Sequence, residues 1–147
     1  MIQITLPLPP KELHAHAKGH WRAKAVATKA CRTLAHVETL AIGATPMGRA
    51  TLSLDIYYPD LRQRDVYNTA QGCKPYIDGL VDAGVIAGDH WQVLSGGHIR
   101  PHLDRANPRV VITLEPDSED QSDIAAIKAA KDEPSKPLSQ AIEDMGL

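Results

Sequence analysis

Ala50-Thr51-Leu52-Ser53-Leu54-Asp55-Ile56-Tyr57-Tyr58 is the stretch on which the fold turns. Leu52, Leu54, Ile56 and Tyr58 alternate with Ser53, Asp55 and Tyr57, the period of a strand packed on one face. Pro59-Asp60 ends it, because proline has no N–H to give a ladder. An arginine-rich exit over 61–65 leads into a helix expected over 69–83. Asn68 is its expected cap and Gly84 its stop. Pro75 inside that span predicts a kink or a restart. Farther on, 91–99 reads as a weak strand broken by Gly96-Gly97, and 109–114 as a good final strand closing a terminal hairpin.

Towards the N-terminus, 21–42 is Ala-rich and free of Pro and Gly, and predicts a long helix. Ala23, Ala27, Ala30, Leu34, Val37 and Ala41 form an apolar row expected to pack on the 50–58 strand. Arg22, Ala25, Lys29, Arg32 and His36 form a basic row roughly opposite, with Glu38 the only acid on the helix. Residues 11–20 read as a polar loop, Ile2 to Leu6 as a first strand, and Pro7-Leu8-Pro9-Pro10 as an extended exit from it. Strands separated by helices imply an α+β fold: one mixed sheet against two main helices.

The 147 residues suit one domain, with 43% apolar residues, no Phe and only two Trp and four Tyr. A net charge of −2 conceals an uneven spread. Residues 1–50 hold seven Lys/Arg against two acids, whereas 116–147 hold three against eight. The chain therefore divides into a body, 1–115, and an acidic C-terminal appendage, 116–147, expected to be partly helical or disordered. The basic body keeps a polyanionic partner in view. Nothing approaches the roughly 20 apolar residues of a membrane span. Two cysteines and no leader-like start give the expectation of a reducing, cytoplasmic setting.

Three groups of residues carry chemistry. His14, His16 and His20 have a zinc-like spacing, yet no Cys or acid completes the set nearby, so they read as loop or phosphate-contacting histidines. Cys73 beside Lys74 has no identifiable His partner and reads as a structural thiol. The third group is Asp60, Asp65, Asp78, Asp82 and Asp89 interleaved with Arg62, Arg64 and Lys74. Lys74, Asp78 and Asp82 share one helical stripe. Carboxylates converging beside cations suit a divalent ion next to a phosphate, although acids so widely spaced also serve as plain surface charge.

This run resembles the RusA family of Holliday junction resolvases, small endonucleases common in phages and prophages. Leu6-Pro7-Leu8-Pro9-Pro10 matches the family's opening. Arg64-Asp65-Val66-Tyr67-Asn68, Lys74, Ile77-Asp78-Gly79-Leu80 and Gly84-Val85-Ile86-Ala87-Gly88-Asp89 follow in the family's order. The resemblance spans about 2–115. It implies a homodimer acting in DNA recombination and repair, cutting paired strands of four-way DNA with Mg²⁺ or Mn²⁺. Carried over, Asp65, Asp89 and Lys74 are the catalytic residues, with Asp65 and Asp89 as metal ligands and Asp78 as a further candidate ligand. Arg22, Lys29, Arg32, Arg62 and Arg64 would contact DNA. Tyr67 and Gly88 stand where the family has aspartates, and Lys74 comes three residues late. The alternative is therefore a protein that binds branched DNA with little or no cutting.

Overall fold

The computed structural model describes residues 1–117 continuously and isolated positions beyond. The chain divides into two compact units, Met1–Asp117 and Ser118–Leu147. In the second, the described positions Ala129, Lys131, Ser139, Gln140 and Ile142 are helical. The rest of the expected acidic appendage lies outside the described residues.

The first unit is α+β. Its strands are β1 (Ile2–Leu6), β2 (Ala50–Tyr58), β3 (Leu94–Leu103) and β4 (Arg109–Pro116). Its helices are α1 (Trp21–Ala41), α2 (Val66–Gly72) and α3 (Lys74–Asp82), with a 3₁₀ turn at Lys11–Leu13. The sheet runs β1-β4-β2-β3, parallel between β2 and β3 and antiparallel elsewhere. The expected terminal hairpin is therefore absent: β4 enters the sheet between β1 and β2, two strands with matching apolar faces. β3 also reaches farther than expected, through Pro101 to Leu103. Pro101 is tolerated because β3 is an edge strand. Gly96-Gly97 does not break it but marks a shift of register opposite Ser53. A β-carbon at Gly97 would collide with the Ser53 hydroxyl.

The core lies on one side of the sheet. Ile4, Leu6, Leu54, Ile56, Val110, Ile112 and Leu114 are buried there with Tyr76 and Leu80 of α3. The buried row of α1 is Cys31, Ala35 and Thr39, not the expected small-residue row. Ala27 and Leu34 of that row are half-buried, but Ala23, Ala30, Val37 and Ala41 are exposed. Thr39 can enter a core because its hydroxyl donates to the Ala35 carbonyl at 2.6 Å. Nor is β2 the main neighbour of α1, which packs chiefly on α3 and also touches β1. Gly79 lets the helices close: a β-carbon there would lie 2.5 Å from the Arg32 carbonyl and 2.7 Å from the Ala35 β-carbon. Beside this contact Arg32 makes a bidentate pair with Asp82, at 2.5 and 2.7 Å.

The second helix starts earlier than Asn68 suggested. Asp65 is the cap of α2, its Oδ1 accepting from the Tyr67 and Asn68 amides at 2.9 and 3.3 Å. The chain restarts at Cys73 with Pro75 in the first turn of α3, where a missing N–H costs nothing. Gly84, at φ +77°, stops α3. Tyr76, fully buried, donates its hydroxyl to the Pro7 carbonyl at 2.8 Å and ties the proline-rich exit of β1 to α3.

At the far end Asp117 staples three strands. Its carboxylate accepts from Thr51 at 2.5 Å, Ser95 at 2.9 Å and Arg49 at 3.2 Å. The folded unit thus extends two residues past Glu115. Among the described residues no helix is long and apolar enough to cross a membrane.

Candidate functional site

The β2–α2–α3 segment returns the chain to the sheet through a turn that carries Asp89. Lys74, at the first position of α3, reaches Asp89 Oδ2 at 2.6 Å and also pairs with Asp78 Oδ1, one helical turn along. Three of the residues picked out from the sequence therefore meet at one ammonium group. Lys74 is about half exposed, with 52% of its side chain open, so this cluster faces solvent. Burial works against the Lys74 charge, but hydrogen bonds to Asp78 and Asp89 outweigh it and raise its pKa. The hydrogen bond and charge of Lys74 in turn hold the Asp89 carboxyl below its ordinary range.

Asp65 makes no hydrogen bond or ion pair with this cluster among the described residues. It lines a cavity of about 260 Å³ with Leu8, Pro9, His14, Arg64 and Asn68. One Asp65 oxygen caps α2, and the other has no hydrogen-bond partner among the described residues. From the sequence, His14 reads only as a loop or phosphate-contacting histidine and Asn68 only as a helix cap; the structure puts both beside Asp65 at this cavity. His14 lies only four residues past Pro10, but that proximity to Asp65 comes from folding alone.

Among the described residues no group of three or more His, Cys, Asp or Glu is gathered closely enough to hold a metal ion. His14, His16 and His20 therefore make no zinc set. Among the described residues Asp78 keeps one oxygen unpaired and Asp65 another, while Asp89 shares its carboxylate with Lys74. This donor set fits the looser arrangement in which one or two carboxylates hold Mg²⁺ and water and substrate phosphates complete the shell. Cys73 is fully buried, and burial raises its thiol pKa to about 12, which leaves it no nucleophile near neutrality.

The expected DNA-contacting cations differ in what already occupies them. Arg32 is committed to Asp82 and links α1 to α3. Arg62 and Arg64 both pair with Asp60, at 3.1 and 2.7 Å. Hydrogen bonds from Arg64 and then Arg62 keep the Asp60 carboxyl far below its usual range. Arg64 also lies over the Tyr58 ring at 4.8 Å. Arg62 remains 77% exposed despite its partner. Arg22 and Lys29 are exposed on α1, and no carboxylate among the described residues pairs with either.

A further cluster occupies the opposite side of the sheet. Asp55 accepts from His98 at 3.0 Å and from His102 at 2.7 Å, both on β3. Tyr57, next along the same face of β2, lies between His102, stacked at 4.6 Å, and Arg109, 3.7 Å from the ring centre. The signal was present in sequence, as two histidines at even spacing on a strand. Their partner became visible only with the parallel β2–β3 register.

No protein-family model matches the chain. An uncharacterized protein of Xylella fastidiosa (strain Temecula1) is 34% identical over 88 residues, which make up 56% of this chain and 58% of that protein. The chain thus matches a little over half the length of this relative, and the similarity carries no activity with it.

Proposed function

We propose that the protein is a RusA-like, metal-assisted endonuclease acting on four-way or otherwise branched DNA, with Lys74, Asp89 and Asp65 at its centre. The observation that supports this most is the 2.6 Å pair between Lys74 and Asp89, two residues of the motif that the chain separates by the whole of α3. A surface pair alone contributes little stability. Its value here is to present an ammonium and two carboxylates at one exposed point.

In this reading one or two carboxylates out of Asp65, Asp89 and Asp78 would hold Mg²⁺ or Mn²⁺, with water and substrate phosphate oxygens completing the shell. When bound, the ion would supply an acidified water and offset charge on the phosphodiester. Lys74 stays protonated through neutrality because Asp78 and Asp89 favour its charge. It can therefore donate to a phosphate oxygen as negative charge grows there. Arg62, Arg22 and Lys29 draw the DNA backbone in, so binding weakens steeply with salt. Two opposed cuts imply two sites, hence a homodimer.

A second reading is binding of branched DNA without cutting. Tyr67, 77% exposed, occupies the middle acidic position of the motif, and a neutral phenol is a poor ligand for a hard cation.

The test is incubation of the full chain with a synthetic four-way junction in Mg²⁺ and in Mn²⁺, beside Asp89→Asn and Lys74→Ala. Paired nicks that disappear in both variants, with junction binding retained, support the nuclease. Junction binding without nicks in either metal favours the second reading, and absence of junction binding refutes both.

A further inference from the structure

We infer that Trp21 is a stacking site for an unpaired base of a nucleic-acid strand, distinct from the Lys74–Asp89 cluster. The inference rests on the nucleic-acid part of the reading above. Trp21 opens α1 and is 69% exposed, although an indole is among the side chains that gain most from burial. Its surroundings do not supply an apolar interface. The hollow beside it, about 190 Å³, is walled by Lys18, His20 and Lys24, by Ala17, Gly19 and Ala23, and by one acid, Glu12. His20 stacks loosely on the indole at 5.7 Å and the Arg22 guanidinium lies 5.3 Å from it. No carboxylate among the described residues pairs with Lys18, Arg22 or Lys24.

An exposed indole flanked by Lys18, Arg22 and Lys24, three cations against the single carboxylate of Glu12, selects for a partner both planar and polyanionic. Protein interfaces instead deplete charge around their aromatic anchors. Insertion into a lipid surface needs an apolar face of several large residues, and apart from Trp21 the apolar wall residues here are Ala17, Gly19 and Ala23. A nucleic-acid strand meets both requirements: a base covers the indole while Lys18, Arg22 and Lys24 hold adjoining phosphates. Paired duplex cannot use the ring in this way, since its bases are already stacked. The site therefore discriminates unpaired from paired strands, as found at the centre or frayed end of branched DNA.

The experiment uses the full chain carrying Trp91→Phe, which leaves Trp21 as the only tryptophan. Indole fluorescence is followed on titration with single-stranded dT12, a 12-base-pair duplex, and phosphatidylserine vesicles. The expected result is quenching by dT12 and little response to duplex or vesicles. Trp21→Ala should weaken dT12 binding by about 5- to 150-fold, the range for loss of one stacked base, with an unchanged slope of affinity against salt. Trp21→Tyr should retain most of the affinity, and Lys24→Ala should flatten the salt slope instead. Unchanged dT12 affinity in Trp21→Ala, equal losses on dT12 and duplex, or quenching by vesicles alone would each overturn the inference. Failure of dT12 to bind while the junction is still cut would sink the stacking site and leave the nuclease reading intact.

Discussion

Replacing Gly79 by alanine should pry α1 from α3. The added β-carbon would sit 2.5 Å from the Arg32 carbonyl oxygen, 2.7 Å from the Ala35 β-carbon and 3.0 Å from the His36 amide nitrogen. A carbon and a carbonyl oxygen rest at about 3.3–3.6 Å, so the helices must separate by close to 1 Å. Two of the three obstacles are backbone and cannot rotate away. Overpacking of this kind costs about 1–3 kcal/mol, and the backbone contacts argue for the upper end. Alanine returns about 1 kcal/mol through its better helix propensity. The net loss is then about 2 kcal/mol, a fall in Tm of roughly 8 °C for a unit of this size. Thermal unfolding followed by far-UV circular dichroism, with a urea titration for the midpoint, measures it. Gly48→Ala is the control, since nothing lies within 4 Å of a β-carbon there. A Tm equal to or above wild type in Gly79→Ala would show that the helices do not cross at this residue.

Asp117→Ala should cost about 2 kcal/mol by urea denaturation, because it removes a charged acceptor shared by Thr51, Ser95 and Arg49; a wild-type midpoint would mean that the staple carries no stability. Burial raises the Asp55 pKa, but hydrogen bonds from His98 and His102 outweigh it and leave the group lowered. A lowered carboxyl contributes stability in full above its unfolded value of about 3.9 and loses it as pH falls through the folded value. Asp55→Asn should therefore flatten the stability profile below about pH 4, and an unaltered acid limb would contradict this. Tyr67→Asp should raise junction cleavage, most visibly in Mg²⁺, if scarcity of carboxylates limits the site. No gain, together with full activity in Asp65→Asn, would remove Asp65 and its neighbour from the mechanism.

Local physics made much of this chain legible before folding. The alternation of 50–58 defined β2, and the unbroken Ala-rich run defined α1 to within a residue, because both signals act over a few neighbouring positions. Pro75 announced the restart at α3 and Gly84 its end, since each limits its own backbone whatever lies around it. The acids and cations of 60–89 could likewise be picked out by type and order. Tertiary packing alone decided which α1 row is buried: two rows are apolar enough, and the fit of Ala35 to Gly79 selects between them. It also placed β4 between β1 and β2, a choice among strands of like hydrophobicity that depends on contacts far apart in the chain. The meeting of Lys74 with Asp89, the placing of Asp65 and His14 at one cavity, and the gathering of His98 and His102 on Asp55 belong to the same class. Spacing along a chain sets which side chains share an element, but only the path of the chain between elements sets which of them touch.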